Sequence, residues 1–157
     1  MELINDNQKI IYKICNSYCS NKNDREDLAQ EIIYQLLKSY RSYKQEYKFS
    51  TWMYRVALNV AISFYRKKKT ADTVTYEPVL PDFKDDVHST AELENNLAIL
   101  ARFINELNEL DKALMILYLE SKSYKEIAEI LGISETNVAT KISRIKETLK
   151  QKFLTLN

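Results

Sequence analysis

The sequence predicts an all-α protein of two small helical domains joined by a flexible acidic linker, and three observations carry that expectation. The 157 residues include one glycine and two prolines, far fewer breakers than the turns of a sheet protein require. Apolar residues recur at helical spacing over most of the chain. Between two such stretches, TADTVTYEPVLPDFKDDVHST holds both prolines and no helical period. Residues 1–69 and 91–157 are therefore expected as domains, with 70–90 as the linker.

The first helix is expected over residues 7–19, with Ile10, Ile11, Ile14 and Tyr18 on one face before NKND interrupts the pattern. A second follows, capped by Asp24 and acidic in its first turn at Glu26 and Asp27. Its buried stripe is Leu28, Ile32, Leu36 and Tyr40, which leaves Asp27, Gln30, Glu31 and Tyr34 on the other side. SYKQEYKFST reads as a polar, aromatic loop ending in a cap at Ser50 or Thr51. From Trp52 to Lys69 the helical pattern returns: Met53, Val56, Ala57, Val60 and Phe64 share one side, and Arg55, Asn59, Ser63 and Arg66 another. This segment has no acidic residue and ends in RKKK.

Beyond the linker, residues 91–120 read as two helices. Leu93, Leu97, Leu100, Ile104 and Leu107 line the first, Leu114, Leu117 and Tyr118 the second, and Leu110 and Asp111 mark the break. SYKE is a capping box in which Ser123 and Glu126 are expected to satisfy each other's orphan amides, starting a helix at Tyr124. YKEIAEIL then runs into Gly132, the chain's single glycine, and Ser134 caps another helix with Glu135 in its first turn. Helix, tight turn, helix is the consequence, with glycine tolerating the left-handed dihedrals of a steep crossing. In the last helix Val138, Ile142, Ile145 and Leu149 pack inward. Thr136, Thr140, Ser143 and Arg144 face out, flanked by Asn137 and Lys141. No residue of that face is acidic, and all can donate hydrogen bonds, which suits base edges and phosphates in a major groove.

The net charge of +1 conceals a segmental pattern. Residues 1–69 hold 13 Lys/Arg against 7 Asp/Glu, residues 70–120 hold 3 against 11, and residues 121–157 hold 7 against 4. Two basic ends around an acidic middle suit two nucleic-acid-facing modules. No apolar run approaches a membrane span and MELINDNQKI is not a leader, so a cytoplasmic protein without membrane insertion is expected. Cys15 and Cys19 read as small core residues rather than a bridge or a metal site, and the single histidine, His88, stands in the acidic segment. No cofactor is called for. Without a glycine-rich phosphate loop or a metal-ligand cluster, the chain is not expected to be an enzyme.

DREDLAQEIIYQLLKSY followed by KFSTWMYRVALNVAISFYRKKK resembles region 2 of the extracytoplasmic-function sigma factors of the sigma-70 family, and SYKEIAEILGISETNVATKISRIKETLKQKF resembles region 4. The resemblance covers nearly the whole chain apart from the linker. It implies core RNA polymerase and promoter DNA as partners, and leaves room for an anti-sigma factor. It places Asp27, Gln30 and Glu31 on the polymerase clamp, and Trp52, Arg55, Asn59, Arg66 and Lys67, with the loop from Tyr43 to Phe49, on the minus-10 element. Thr136, Asn137, Thr140, Lys141 and Arg144 fall on the minus-35 element. A core position is the competing reading for Trp52. Asn137 stands where many relatives have threonine, Ala139 where they have a basic residue, and Ser63 where an aspartate is usual. A stand-alone helix-turn-helix regulator is the competing reading; it uses residues 121–150 but leaves DLAQE and the FSTW helix without a role.

Overall fold

The computed structural model describes residues 2–71 and 91–156. The chain divides into two compact units, one taking in residues 2–71 and the other residues 91–156. Apart from its first two positions the expected linker, with His88, lies outside the described residues.

The first unit holds α1 (Glu2–Asp6), α2 (Gln8–Tyr18), α3 (Lys22–Ser39), a 3-10 turn at Tyr40–Ser42, and α4 (Phe49–Ala71). α4 packs against both α2 and α3, which also pack on each other. Their shared core is Ile10, Ile11 and Ile14 from α2, Leu28, Ile32 and Leu36 from α3, and Met53, Tyr54, Ala57, Leu58 and Ala61 from α4. Each fully buried leucine or isoleucine contributes about 1.5–3 kcal/mol relative to exposure. Cys15 and Cys19 are buried free thiols, and desolvation pushes the Cys15 thiol up to about 12, with Cys19 adding to the shift.

Several expected boundaries in this unit move. α3 begins at Lys22, because Asn21 rather than Asp24 is its cap: the Asn21 side chain accepts from the Asp24 amide at 2.8 Å and donates back to the Asp24 carboxylate at 2.7 Å. Tyr40 leaves the buried stripe for the 3-10 turn and is 46% exposed. α4 starts at Phe49, so Ser50 and Thr51 lie inside its first turn rather than before it, with the Trp52 amide bonded to the Lys48 carbonyl. The buried face of α4 is also rotated by about 75° from the expected one at 100° per residue; Val56, Val60 and Phe64 sit at its margin. A helix wedged against two others is buried over a wide arc, and its alanines let the backbones approach.

The second unit holds α5 (Ala91–Asn105), α6 (Glu109–Leu119), α7 (Tyr124–Leu131) and α8 (Glu135–Thr155). The break between α5 and α6 falls at residues 106–108, not at Leu110 and Asp111. Asn108 caps α6 by accepting from the Asp111 amide at 2.8 Å, which draws Leu110 and Asp111 into the first turn. Leu93 is exposed at 40%, while Ala101, Phe103 and Ile104 are buried. Phe103 meets Phe153 edge to face at 5.2 Å, and Lys152 reaches Glu106 at 2.8 Å, so the two helix ends are tied by a ring contact and an ion pair.

Candidate functional site

The turn between α7 and α8 is built as its residue types dictate. The Glu126 amide donates to Ser123 Oγ at 3.1 Å as expected, but it is the Ser123 hydroxyl, not its amide, that donates back to the Glu126 carboxylate, at 3.2 Å. At the other end of α7, Gly132 adopts φ 71 and ψ 34, the left-handed region. The amides of Gly132 and Ile133 both close on the Ala128 carbonyl, at 2.9 and 3.2 Å. Ser134 then caps α8, its hydroxyl oxygen accepting from the Asn137 amide at 3.1 Å.

α8 is held from below by Val138, Ile142, Ile145 and Leu149, all buried. Thr136, Asn137, Thr140, Ser143 and Arg144 are exposed and Lys141 half-buried, so the structure brings these side chains onto one solvent face. Thr140 is the exception to the expectation that all can donate: its hydroxyl gives its proton to the Thr136 carbonyl at 3.0 Å, which leaves it an acceptor towards solvent. Further along, Lys146 lies 4.3 Å from the centroid of the Tyr118 ring. A hydrogen bond with Tyr118 is the leading cause that raises the Lys146 ammonium above the ordinary lysine value. Ala139 is half-buried at the edge of the face and offers it no cation.

In the first unit Asp27, Gln30 and Glu31 are exposed together on α3. Glu31 accepts from Gln35 at 3.1 Å. The same side carries exposed apolar groups, Tyr34 at 56%, Ile33 at 38% and Leu37 at 48%, a mixture of acids, amides and apolar surface suited to another protein.

On α4, Arg55, Asn59, Ser63, Arg66 and Lys67 are exposed. Trp52 is neither a core residue nor a free ring. It is half-buried, with Tyr43 and Phe49 each at 5.4 Å and Tyr40 at 6.3 Å between centroids. Tyr43 donates its hydroxyl to the Tyr47 carbonyl at 2.9 Å, which ties the loop down beside the rings. The sequence placed Tyr40 in a buried stripe and so missed it as a member of this cluster. A ring spaced twelve residues before Trp52, across a polar loop, was the available signal.

No group of three or more His, Cys, Asp and Glu side chains that could hold a metal occurs among the described residues. No helix among them is long and apolar enough to cross a membrane.

Two helical units, one with a helix-turn-helix and the other with an aromatic and basic helix face, define the class as a two-unit all-helical protein. A family profile described as sigma-70 region 2 matches residues 3–71, and one described as sigma-70, region 4 matches residues 97–149. The ECF RNA polymerase sigma factor SigW of Bacillus subtilis (strain 168) is 29% identical over 152 residues, covering 90% of this chain and 81% of that protein. SigM of the same organism is 30% identical over 141 residues, covering 89% and 86%. Among solved structures, CnrH in complex with the cytosolic domain of CnrY shares 17% identity with a TM-score of 0.68, covering 98% of this chain and 86% of that one. RpoE of Bartonella quintana, solved with the anti-sigma factor NepR, has 20% identity and the same TM-score, covering 98% and 99%. The chain belongs to the sigma-70 family, in its extracytoplasmic-function group: it is an RNA polymerase sigma factor, which directs core RNA polymerase to promoters for transcription initiation. Matches in both units disfavour the stand-alone regulator, which accounts for the second unit alone.

Proposed function

We propose that the two units divide promoter recognition by the physical state of the DNA, with residues 1–69 and 91–157 as the working domains and 70–90 as their linker. α8 reads the duplex minus-35 element through Thr136, Asn137, Thr140, Lys141 and Arg144. Asn and Arg suit bidentate base contacts, while Lys and Thr suit phosphates. α4 binds and opens the minus-10 element through Trp52, Arg55, Asn59, Arg66 and Lys67, the aromatic rings stacking on unpaired bases and the cations following the backbone. Asp27, Gln30 and Glu31 of α3 dock on the polymerase clamp. The protein is a non-enzymatic subunit acting in the cytoplasm. An anti-sigma factor is included among its partners because the similarly folded RpoE is solved with one.

The observation that carries this reading is the pairing, in one chain, of an exposed non-acidic α8 face after a left-handed glycine turn with an exposed stripe on α4 beside four clustered aromatic rings. The test is transcription by core polymerase with the protein added, mapped start sites, then variants on duplex and premelted templates. Trp52→Ala should spare closed-promoter binding, lower permanganate reactivity of thymines near the start site, and regain much of its transcription on a premelted bubble. Arg144→Ala should lose upstream-element preference on either template. A Trp52→Ala defect that the bubble leaves in place, together with a sharp fall in thermal stability, would assign the ring to fold maintenance and not to strand capture.

A further inference from the structure

Close to its C-terminal end α4 carries four consecutive cations, Arg66 to Lys69, all exposed. At 100° per residue Trp52, Arg55, Asn59, Ser63 and Arg66 fall within an arc of about 80°. Lys68 lies about 160° from Arg66 by the same geometry, on the continuation of the face that buries Met53, Ala57 and Ala61. On α3, Asp24 stands four residues before Leu28 and so extends the buried series Leu28, Ile32, Leu36. The two charged extensions meet: Lys68 Nζ pairs with Asp24 Oδ1. Asp24 is itself fixed by both of its hydrogen bonds with Asn21. The Lys68 hydrogen bond is the leading cause that holds the Asp24 carboxyl below its ordinary value. Lys68 also lies 5.9 Å from the centroid of the Phe64 ring.

We propose that Asp24 is a positioning residue for promoter opening. By drawing Lys68 onto α3 it holds the C-terminal end of α4 wound, so that Arg66, two residues before Lys68, continues the stripe of Trp52, Arg55 and Asn59. Lys68 is thereby a structural cation and not a phosphate contact. This rests on the reading of that stripe as the minus-10 surface. Phase matters because the final carbonyls of a helix lack intrahelical partners and adjacent like charges repel, so an untethered helix end frays back towards Arg66. One residue of altered winding carries Arg66 about 100° away from the stripe.

The experiment uses holoenzyme assembled from the full chain and core polymerase on a promoter mapped as above. It compares Asp24→Lys, Lys68→Asp, the double charge swap, Asp24→Asn and Arg66→Ala. Loss of a partly exposed ion pair should lower open-complex formation by about two- to fivefold in each single variant at position 24 or 68. The swap should recover most of that loss with an unchanged salt slope, although position 68 is now acidic. A swap as defective as Lys68→Asp, with the slope of log K against log salt reduced by about 0.7–0.9, makes Lys68 a phosphate contact and overturns the proposal. So does normal opening by Asp24→Asn, or a loss of core binding that parallels the loss of opening, since the pair then only maintains the fold. Arg66→Ala separates the two readings. If it opens normally the stripe itself is wrong; if it is defective while the swap stays unrescued, only the positioning role fails.

Discussion

Replacing Gly132 isolates a backbone effect from a packing one. The residue sits at φ 71, and a Cβ added there meets no heavy atom within 4 Å, so no neighbour has to move for a side chain. What remains is the intrinsic cost of the left-handed region, about 1–2 kcal/mol for an ordinary L-residue. Restricting the unfolded chain offsets about 0.4–1 kcal/mol of it, so Gly132→Ala should destabilise the second unit by about 0.5–1.5 kcal/mol. Asparagine, which tolerates this region, should cost less, and β-branched valine more, up to about 3 kcal/mol. For a unit of this size each kcal/mol moves the melting temperature by about 4–8 °C. Hydrogen exchange gives the local readout, because the Gly132 and Ile133 amides both donate to the Ala128 carbonyl, and protection should fall in the order Gly, Asn, Ala, Val. If alanine melts with the parent, or asparagine is the worst of the three, left-handed strain does not explain the glycine.

Other expected outcomes concern separate surfaces. Asp27→Lys combined with Glu31→Lys should abolish copurification with core polymerase while far-ultraviolet circular dichroism stays unchanged, since both side chains are exposed; retained binding removes the docking role. Lys141→Ala and Arg144→Ala should weaken upstream-element binding, by about 1–3 kcal/mol for any contact bidentate to a base. Equal losses on all duplex sequences would reassign these residues to the phosphate backbone. The Cys15 thiol, raised from 9.0 to about 12, links stability to its proton: the contribution is complete below the unfolded value and is lost as pH rises through the folded one. Cys15→Ala should therefore flatten the decline in stability between those two values, measured by denaturant midpoints, and an unaltered decline refutes the linkage.

The parts of the fold legible in the sequence are those decided within one turn of helix. Ser123, Gly132 and Ser134 act on amides no more than four residues away, and the α8 stripe faces one side of one helix, so residue type and period suffice. The errors arose where a choice lay between two local solutions or depended on a third element. NKND offers Asn21 and Asp24 as caps, and the structure uses Asn21 because its side chain bonds the Asp24 amide. Asn108 was passed over in the same way. The buried face of α4 was misplaced because two partner helices set it, and periodicity along one chain reports only one of them. Lys112, buried within α6, gave no sign at all, since a lysine in an apolar run reads as a solvent-facing position. Site residues on regular helix faces were placed on those faces by spacing alone. The ring cluster at Trp52 was not, because it is assembled across a loop.

That cluster and the α8 face differ in what binding demands of them. α8 presents its side chains from a helix fixed by four buried residues and a serine cap, and a duplex groove need not displace any of that. The Trp52 ring is already engaged by Tyr43 and Phe49, and each such ring pair is worth about 0.5–1.5 kcal/mol beyond area burial. A base stacked on an aromatic side chain gains about 1–3 kcal/mol. In the proposed reading, a base that adds to an outer face of the cluster keeps the ring pairs and the whole gain. A base that must intercalate surrenders about half of that gain for one lost pair and nearly all of it for two. The magnitudes thus favour capture on the exposed rim, where the Tyr40 ring beside Trp52 is 46% exposed.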